Sequence, residues 1–225
     1  ASCFFMANRD RGNKMSSITE RNGWYVPMAD QVALNIILRE VNDLNQMLPL
    51  CKQKRRVIQA GGNIGIWPAE LAKHFDDVVT FEPDEENFEC LEANVFNLIN
   101  VKFYNSALGA EYGSGSMDRI DPKNIGAHQI EPSGSDFEIR TIDSFGFDDV
   151  DFIQLDVEGF EHFAIVGGME TIKKCSPVIC LELKGIGKRY GHPDEDTIEL
   201  LKSIGYTIRA RIHRDIVFVR TNDGR

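Results

Sequence analysis

Short apolar runs alternate with amphipathic helical stretches through most of the chain. Five runs have the length of buried strands: 57–60, 78–81, 101–104, 152–155 and 178–182. Helical periodicity between them, for example over 161–174, predicts crossover helices. Because such units join parallel strands by right-handed crossovers, the pattern predicts a doubly wound α/β sheet. Further strand-like runs at 206–211 and 216–219 predict a C-terminal antiparallel hairpin.

Two regions depart from this alternation. Residues 28–48 carry apolar side chains at helical spacing, and the aromatic segment 23–28 precedes them. We therefore predict an N-terminal segment and helix over 1–54 that packs on a main domain over 55–225. Residues 109–135 are rich in Gly, Ser and Pro, which predicts a loop excursion from the main domain.

Composition and charge limit the classes of partner. The chain has 225 residues, 42% of them hydrophobic, and 25 Lys and Arg against 35 Asp and Glu, for a net charge of −10. Such an acidic surface repels phosphate backbones, so we expect no nucleic-acid partner. The basic run at 52–56 is interpreted as a solvated lead-in to the first strand. No apolar run approaches the roughly 20 residues that span a bilayer, so we expect no membrane partner.

The five cysteines form no CxxC pair and leave one unpaired in any disulfide scheme. They are interpreted as reduced thiols of a cytoplasmic protein.

The candidate chemistry begins at a glycine turn. The segment Gly61–Gly65 follows the first strand, and Glu82 ends the second strand 21 positions after Gly61. Glycines let a ligand approach the backbone, and an acidic residue at this distance is typical of one that binds ribose hydroxyls. The pair predicts an adenosine-type ligand, although the GxGxxG pattern of dinucleotide enzymes is absent.

A second acidic motif follows the fourth strand. Asp156 and Glu158 stand at its carboxyl end, where open α/β sheets bind ligands. An alternative interpretation is that Asp156 caps the next helix.

Four segments together resemble the FkbM family of S-adenosylmethionine-dependent methyltransferases: Gln59–Gly65, Phe81–Pro83, Leu155–Glu161 and Pro177–Glu182. The resemblance extends over about 55–184. It implies a Rossmann-like class I methyltransferase fold with a seven-stranded, mostly parallel sheet whose last strand is antiparallel. It also implies S-adenosylmethionine as cofactor and methyl transfer to a hydroxyl of a small acceptor, such as a carbohydrate or another natural product.

The resemblance also implies roles for individual residues. Gly61, Asn63 and Gly65 would lie near the methionine part of the cofactor, Glu82 at the ribose, and Asp156 near the methyl group. The adenine would lie beside three consecutive residues: Asn105, Ser106 and Ala107. The family pattern has Asp where this chain has Gln59, which can accept a hydrogen bond from the cofactor's ammonium but carries no charge.

Several candidates could take the proton from an acceptor hydroxyl. The first choices are Asp156 and Glu158, and the second choices are His128 and His162. Glu182 could join the two acidic residues around a hard cation, but no dedicated ligand spacing is present, so we expect no metal. The loop over 113–134 is the expected place for acceptor recognition.

Two other functions remain compatible with the residues. The chain could be a non-catalytic module that binds a cofactor or partner with the same fold, or a methyltransferase that acts on proteins.

Overall fold

The computed structural model describes residues 17–121 and 123–221. Cys3 and the rest of 1–16 in the predicted N-terminal segment lie outside the described residues. The described chain begins with an antiparallel hairpin of β1 (Ile18–Arg21) and β2 (Trp24–Pro27). The predicted helix over 28–48 is shorter and interrupted, because a 3-10 turn separates α1 (Ala33–Glu40) from α2 (Leu44–Met47).

The parallel part of the main sheet starts with three consecutive strands. They alternate with two helices in the order β3 (Arg56–Ala60), α3 (Ile66–Leu71), β4 (Asp77–Phe81), α4 (Glu85–Val95) and β5 (Val101–Tyr104). β4 pairs in parallel with both β3 and β5, as the apolar runs predict. The hairpin of β1 and β2 packs on α4, where the side-chain amide of Asn94 pairs with the backbone of Tyr25.

A small second sheet follows. Its strands are β6 (Ser106–Leu108), β7 (Gly113–Asp118), β8 (Gln129–Glu131) and β9 (Phe137–Arg140), in the order β6-β9-β7-β8. β7 and β8 lie inside the predicted loop excursion. The hydrophobic pattern misses β7 because small residues form it, and one of them is required by packing: a Cβ on Gly115 would lie 2.9 Å from the Phe137 ring.

The chain then returns to the main sheet. It forms β10 (Val150–Leu155), α5 (Glu161–Val166), α6 (Met169–Cys175) and β11 (Val178–Glu182). The helix predicted over 161–174 is divided between α5 and α6. It breaks at Gly167, where a Cβ would lie 2.0 Å from the carbonyl oxygen of Gly109. The carboxylate of Asp143 starts α6 by accepting hydrogen bonds from the backbone N–H groups of Glu170 and Thr171.

Helix α7 (Asp194–Ser203) and the hairpin of β12 (Tyr206–Ile212) and β13 (Asp215–Arg220) complete the described chain. The main sheet has seven strands in the order β12-β13-β11-β10-β3-β4-β5, and β13 is antiparallel to both of its neighbours. The predicted seven-stranded, mostly parallel sheet with its C-terminal antiparallel hairpin is therefore confirmed.

The amino and carboxyl edges of the sheet differ in charge. At the amino edge, Arg56 pairs with Asp77 and Asp149, and Arg55 pairs with Asp151. These ion pairs engage both arginines of the basic run at 52–56. The carboxyl edge holds the acidic residues described below. Among the described residues, no helix is long and apolar enough to cross a membrane.

Candidate active site

A cavity of about 700 Å³ lies along the carboxyl ends of β3, β4, β10 and β11. This edge is where open α/β sheets bind their ligands. Two basic side chains, Lys184 and Arg214, are among the residues that line it. The lining also includes six carboxylates: Glu40, Glu82, Asp156, Glu158, Glu182 and Asp194. The cavity is therefore acidic and favours cationic or neutral, hydroxyl-rich ligands over anions.

Gly61 brings the turns after β3 and β10 into contact. Its backbone is left-handed, with φ of +81°, and a Cβ there would lie 1.8 Å from the carbonyl oxygen of Asp156. The backbone N–H of Asp156 in turn donates to the carbonyl oxygen of Ala60 at 3.1 Å. Only glycine meets both conditions, so this residue fixes how closely Asp156 approaches the glycine turn.

Asn63 also lines the cavity, but Gly65 and Gln59 do not. The side-chain amide of Asn63 donates to the carbonyl oxygen of Ile125 at 3.1 Å. Gly65 faces α4 instead, because a Cβ there would lie 3.0 Å from the side chain of Val95.

Gln59 is used inside the fold. The side chain is fully buried, its Oε1 accepts from the hydroxyl of Thr80, and its Nε2 donates to the carbonyl oxygen of Gly61 at 2.9 Å. In this arrangement, the buried side chain of Gln59 stabilises the glycine turn through its hydrogen bond to Gly61. Because Oε1 is buried and already accepts from Thr80, it is not placed to accept the expected hydrogen bond from a cofactor's ammonium.

Glu82 lies between the glycine turn and α4. One carboxylate oxygen accepts from the backbone N–H of Asn63 at 2.7 Å and the other from that of Asp84 at 2.9 Å. Burial, helped by the negative charge of Asp84, raises the pKa of Glu82 to about 8. Each oxygen keeps acceptor capacity, so the carboxylate can receive two further donors from a ligand.

Asp84 connects this wall to a distant part of the sequence. It caps α4 through the backbone N–H groups of Glu86 and Asn87, and its Oδ2 lies 3.0 Å from both His128 Nδ1 and Arg119 Nε. Burial opposes the charge of Asp84, but the hydrogen bonds from His128 and Arg119 outweigh it and lower its pKa to about 2. His128 thereby lines the cavity, 44 positions from its partner, and no sequence pattern links the two.

The three residues predicted to lie beside adenine divide into two roles. Ser106 and Ala107 line the cavity. Asn105 does not, because its amide donates to the carbonyl oxygens of Glu82 and Pro83 and so ties together the turns that follow β4 and β5.

At the other end of the cavity, three carboxylates surround one ammonium group. Asp156, Glu158 and Glu182 each have an oxygen within 4.8 Å of the others. Lys184 Nζ lies 3.3, 2.6 and 2.7 Å from oxygens of Asp156, Glu158 and Glu182, respectively. Burial opposes its charge, but these carboxylates raise the pKa of Lys184 above its ordinary value. A hard cation at this cluster would have to displace Lys184 Nζ.

The sequence motifs do not include Lys184, although its position carries a signal. Glu182 and Lys184 are two positions apart where β11 ends, so an alternating backbone directs both toward the same side. The Asp84 pairs with Arg119 and His128, by contrast, depend entirely on the tertiary fold.

Asp156 is the most accessible member of the acidic cluster. Its side chain is 35% exposed, compared with 10% for Glu158 and 11% for Glu182. Asp156 does not cap the next helix, since Phe160 is the residue that precedes α5 and no side chain makes a capping hydrogen bond there. In the turn before the helix, Glu161 accepts from the backbone N–H groups of Val157 and Gly159. The carboxylate of Asp156 is therefore available to the cavity.

His162, a second-choice base, lies away from the cavity. Its Nδ1 is 3.2 Å from the hydroxyl of Thr197, and its ring stacks on His192 with centroids 4.0 Å apart. Burial and the neighbouring His192 lower the pKa of His162. Of the two candidate histidines, only His128 reaches the cavity.

Residues 59–208, more than half of the chain, match the family model described as Methyltransferase FkbM domain. The chain belongs to the FkbM methyltransferase family. The match includes Gly61, Glu82, Asp156 and Lys184, whereas Glu40 precedes it. No curated protein sequence matches the chain.

The chain is similar to several solved structures. An FkbM methyltransferase from Methylobacillus flagellatus KT superposes with a TM-score of 0.51 at 19% identity, over 74% of this chain and 43% of that one. This chain therefore spans less than half the length of that structure. Magnesium protoporphyrin IX methyltransferase from Synechocystis PCC 6803, solved with bound SAM, gives a TM-score of 0.46 at 14% identity over 84% and 82% of the two chains. TYW2 from M. jannaschii, solved with AdoMet, gives 0.47 at 12% identity over 91% and 86%.

Proposed function

We propose that this protein binds S-adenosylmethionine and transfers its methyl group to a hydroxyl of a small, uncharged acceptor such as a carbohydrate. The observation that carries the proposal is the cavity at the carboxyl edge. It has a buried carboxylate, Glu82, beside the glycine turn and an accessible carboxylate, Asp156, on the neighbouring turn. The volume of about 700 Å³ lies within the roughly 300–1,000 Å³ typical of small-molecule sites.

The residues present suit this cofactor. Glu82 is able to accept the two ribose hydroxyls, because each of its oxygens already has one backbone donor and room for another. The acidic lining favours the positive charge of a sulfonium. When bound, S-adenosylmethionine supplies a methyl group that is already activated for transfer.

The protein's contribution is then orientation and one proton transfer. The carboxylate of Asp156 would accept the proton that the acceptor hydroxyl loses when it takes the methyl group from the bound sulfonium, which would leave as the neutral thioether S-adenosylhomocysteine. Lys184 holds Asp156 in place through Nζ at 3.3 Å. Glu158 is a weaker candidate for the base, because it is more buried and bonds Lys184 at 2.6 Å.

Two isosteric variants test the proposal by calorimetry. Above about pH 8, where Glu82 is ionised, Glu82→Gln should weaken binding of both S-adenosylmethionine and S-adenosylhomocysteine at least about tenfold, because hydrogen bonds to a charged partner are lost. Asp156→Asn should weaken S-adenosylmethionine more than S-adenosylhomocysteine, because only the former carries the sulfonium charge. Glu111→Gln, at an exposed position outside the cavity, is the matched control.

Turnover is measured as S-adenosylhomocysteine formed in the presence of a panel of neutral sugars and polyols. Asp156→Asn should lower kcat by roughly 10²–10⁴-fold if it removes the base. The proposal is wrong if neither cofactor form binds at millimolar concentration. Binding without turnover on any hydroxylated acceptor would support the non-catalytic module, and turnover only on a polypeptide would support a protein methyltransferase.

A further inference from the structure

One wall of the cavity has three buried polar atoms without a hydrogen-bond partner in the described part of the chain. They are Asn87 Oδ1, Ser106 Oγ and His128 Nε2, and all three residues line the cavity. Asn87 and Ser106 are each 2% exposed, and the side chain of His128 is 6% exposed. Because buried polar groups in native proteins nearly always have partners, three unpaired atoms on one wall indicate a ligand with complementary groups.

The position of this wall identifies the part of the ligand concerned. Asp156, Gly61, Glu82 and Ser106 follow four adjacent strands of the sheet, in the order β10, β3, β4 and β5. A cofactor with its sulfonium near Asp156 and its ribose on Glu82 therefore extends its base toward Ser106. This step rests on the function proposed above.

His128 is an acceptor in this arrangement. Its Nδ1 lies 3.0 Å from the ionised carboxylate of Asp84, so Nδ1 carries the hydrogen and donates it. A neutral imidazole then has a lone pair on Nε2.

Asn87 offers a second acceptor with a fixed orientation. Its Nδ2 donates to the carbonyl oxygen of Ile125 at 3.2 Å, and Asn63 donates to the same oxygen. Rotating the Asn87 amide by half a turn would place its oxygen against that carbonyl, which is repulsive. Oδ1 therefore stays the unpaired atom.

We propose that His128 and Asn87 accept hydrogen bonds from the exocyclic amine of adenine, while the hydroxyl of Ser106 bonds to a ring nitrogen. Hypoxanthine has a carbonyl oxygen where adenine has this amine. That oxygen accepts hydrogen bonds, so it would be repelled by the two acceptors, His128 Nε2 and Asn87 Oδ1. The wall thus selects an adenine-containing cofactor. Part of the loop over 113–134, which the sequence predicts to recognise the acceptor, thereby places His128 at the cofactor.

The test compares two ligands that differ at this single group, S-adenosylhomocysteine and S-inosylhomocysteine. Their dissociation constants are measured by calorimetry at about pH 8, where an imidazole is ordinarily neutral. The wild-type protein should prefer the adenine ligand by about 100-fold, because the analogue leaves buried acceptors unpaired. In His128→Leu, this preference should fall about tenfold or more.

Arg119→Met is the matched control for a purely structural role. Arg119 bonds the same Asp84 carboxylate as His128 but does not line the cavity. Its loss should change the affinity for both ligands equally and leave their ratio intact. Ser106→Ala is a second variant that folds readily, because the deleted hydroxyl has no partner in the described chain. It should keep the wild-type Tm and weaken S-adenosylhomocysteine several-fold.

The outcomes separate this inference from the proposed function. If the wild-type protein binds no S-adenosylhomocysteine, the proposed function and this inference fail together. If it binds but His128→Leu keeps the wild-type ratio, or Arg119→Met loses the ratio to the same extent, only the inference is overturned. If His128→Leu does not fold, an unchanged affinity of Ser106→Ala for S-adenosylhomocysteine overturns the inference.

Discussion

Replacing Gly61 by alanine tests whether the contact between the turns after β3 and β10 holds the site together. The new Cβ would lie 1.8 Å from the carbonyl oxygen of Asp156, on a backbone with φ of +81°. Neither strand can move aside easily, since Asp156 N–H bonds Ala60 and the two strands are paired along their length. The clash must therefore displace the backbone that carries Asp156.

Two effects contribute to the expected loss of stability. A left-handed backbone costs an alanine about 1–2 kcal/mol relative to glycine. Overpacking of a rigid interior adds about 1–3 kcal/mol. The reduced freedom of the unfolded chain offsets about 0.4–1 kcal/mol of this. We expect Gly61→Ala to lower the free energy of unfolding by about 2–4 kcal/mol.

Gly23→Ala is the matched control. Gly23 has nearly the same φ, +80°, but a Cβ there would meet no atom within 4 Å. This variant should lose only about 1 kcal/mol, from backbone strain alone. Urea unfolding followed by tryptophan fluorescence measures both, and calorimetry with S-adenosylhomocysteine should show weakened binding only in Gly61→Ala. Equal losses of stability in the two variants would refute the steric argument.

Two further predictions concern pH. Burial raises the pKa of Glu82 to about 8, whereas ribose hydroxyls donate to its ionised form, so affinity for S-adenosylhomocysteine should rise between pH 6 and about 8 and then level off. The affinity of a Glu82→Gln variant for S-adenosylhomocysteine should not change with pH over this range. A pH-dependent affinity in that variant would count against Glu82 as the residue that binds the ribose. Burial raises the pKa of Glu161 to about 7 from 4.5, so its protonated form favours the folded state below pH 4.5 and this stability is lost as pH rises toward 7. The free energy of unfolding of Glu161→Gln, measured in urea, should fall less steeply between pH 4.5 and 7 than that of the wild type. An equal fall in the two proteins would contradict the raised pKa of Glu161.

The strands show how far a local pattern can predict structure. β5 and β11 have the predicted bounds, and β3, β4 and β10 differ only at their first residues, because buried parallel strands form continuous apolar runs. β7 was missed because it is held by pairing with β8 and β9 rather than by hydrophobic alternation. The break between α5 and α6 was also missed, because it depends on Gly109, a residue distant in sequence.

The site shows the same division. Gly61, Glu82 and Asp156 could be predicted because each follows a strand at one edge of the sheet, and their positions in the cavity follow from the topology. Gln59 stands on a strand whose alternation directs its side chain into the core, where Thr80 occupies its oxygen. His162 and His128 look alike in the sequence, yet only His128 reaches the cavity.

The sequence by itself determined the strands of the main sheet, the sheet edge that carries the cavity and the family, because these depend on residues close together along the chain. Only the tertiary structure decided which charged and polar side chains contact one another. Lys184 contacts three carboxylates from two strand ends, and Asp84 bonds Arg119 and His128 from a separate segment. Such interactions depend on distances of a few ångströms between residues far apart in sequence, and no local pattern of hydrophobic and polar positions encodes those distances.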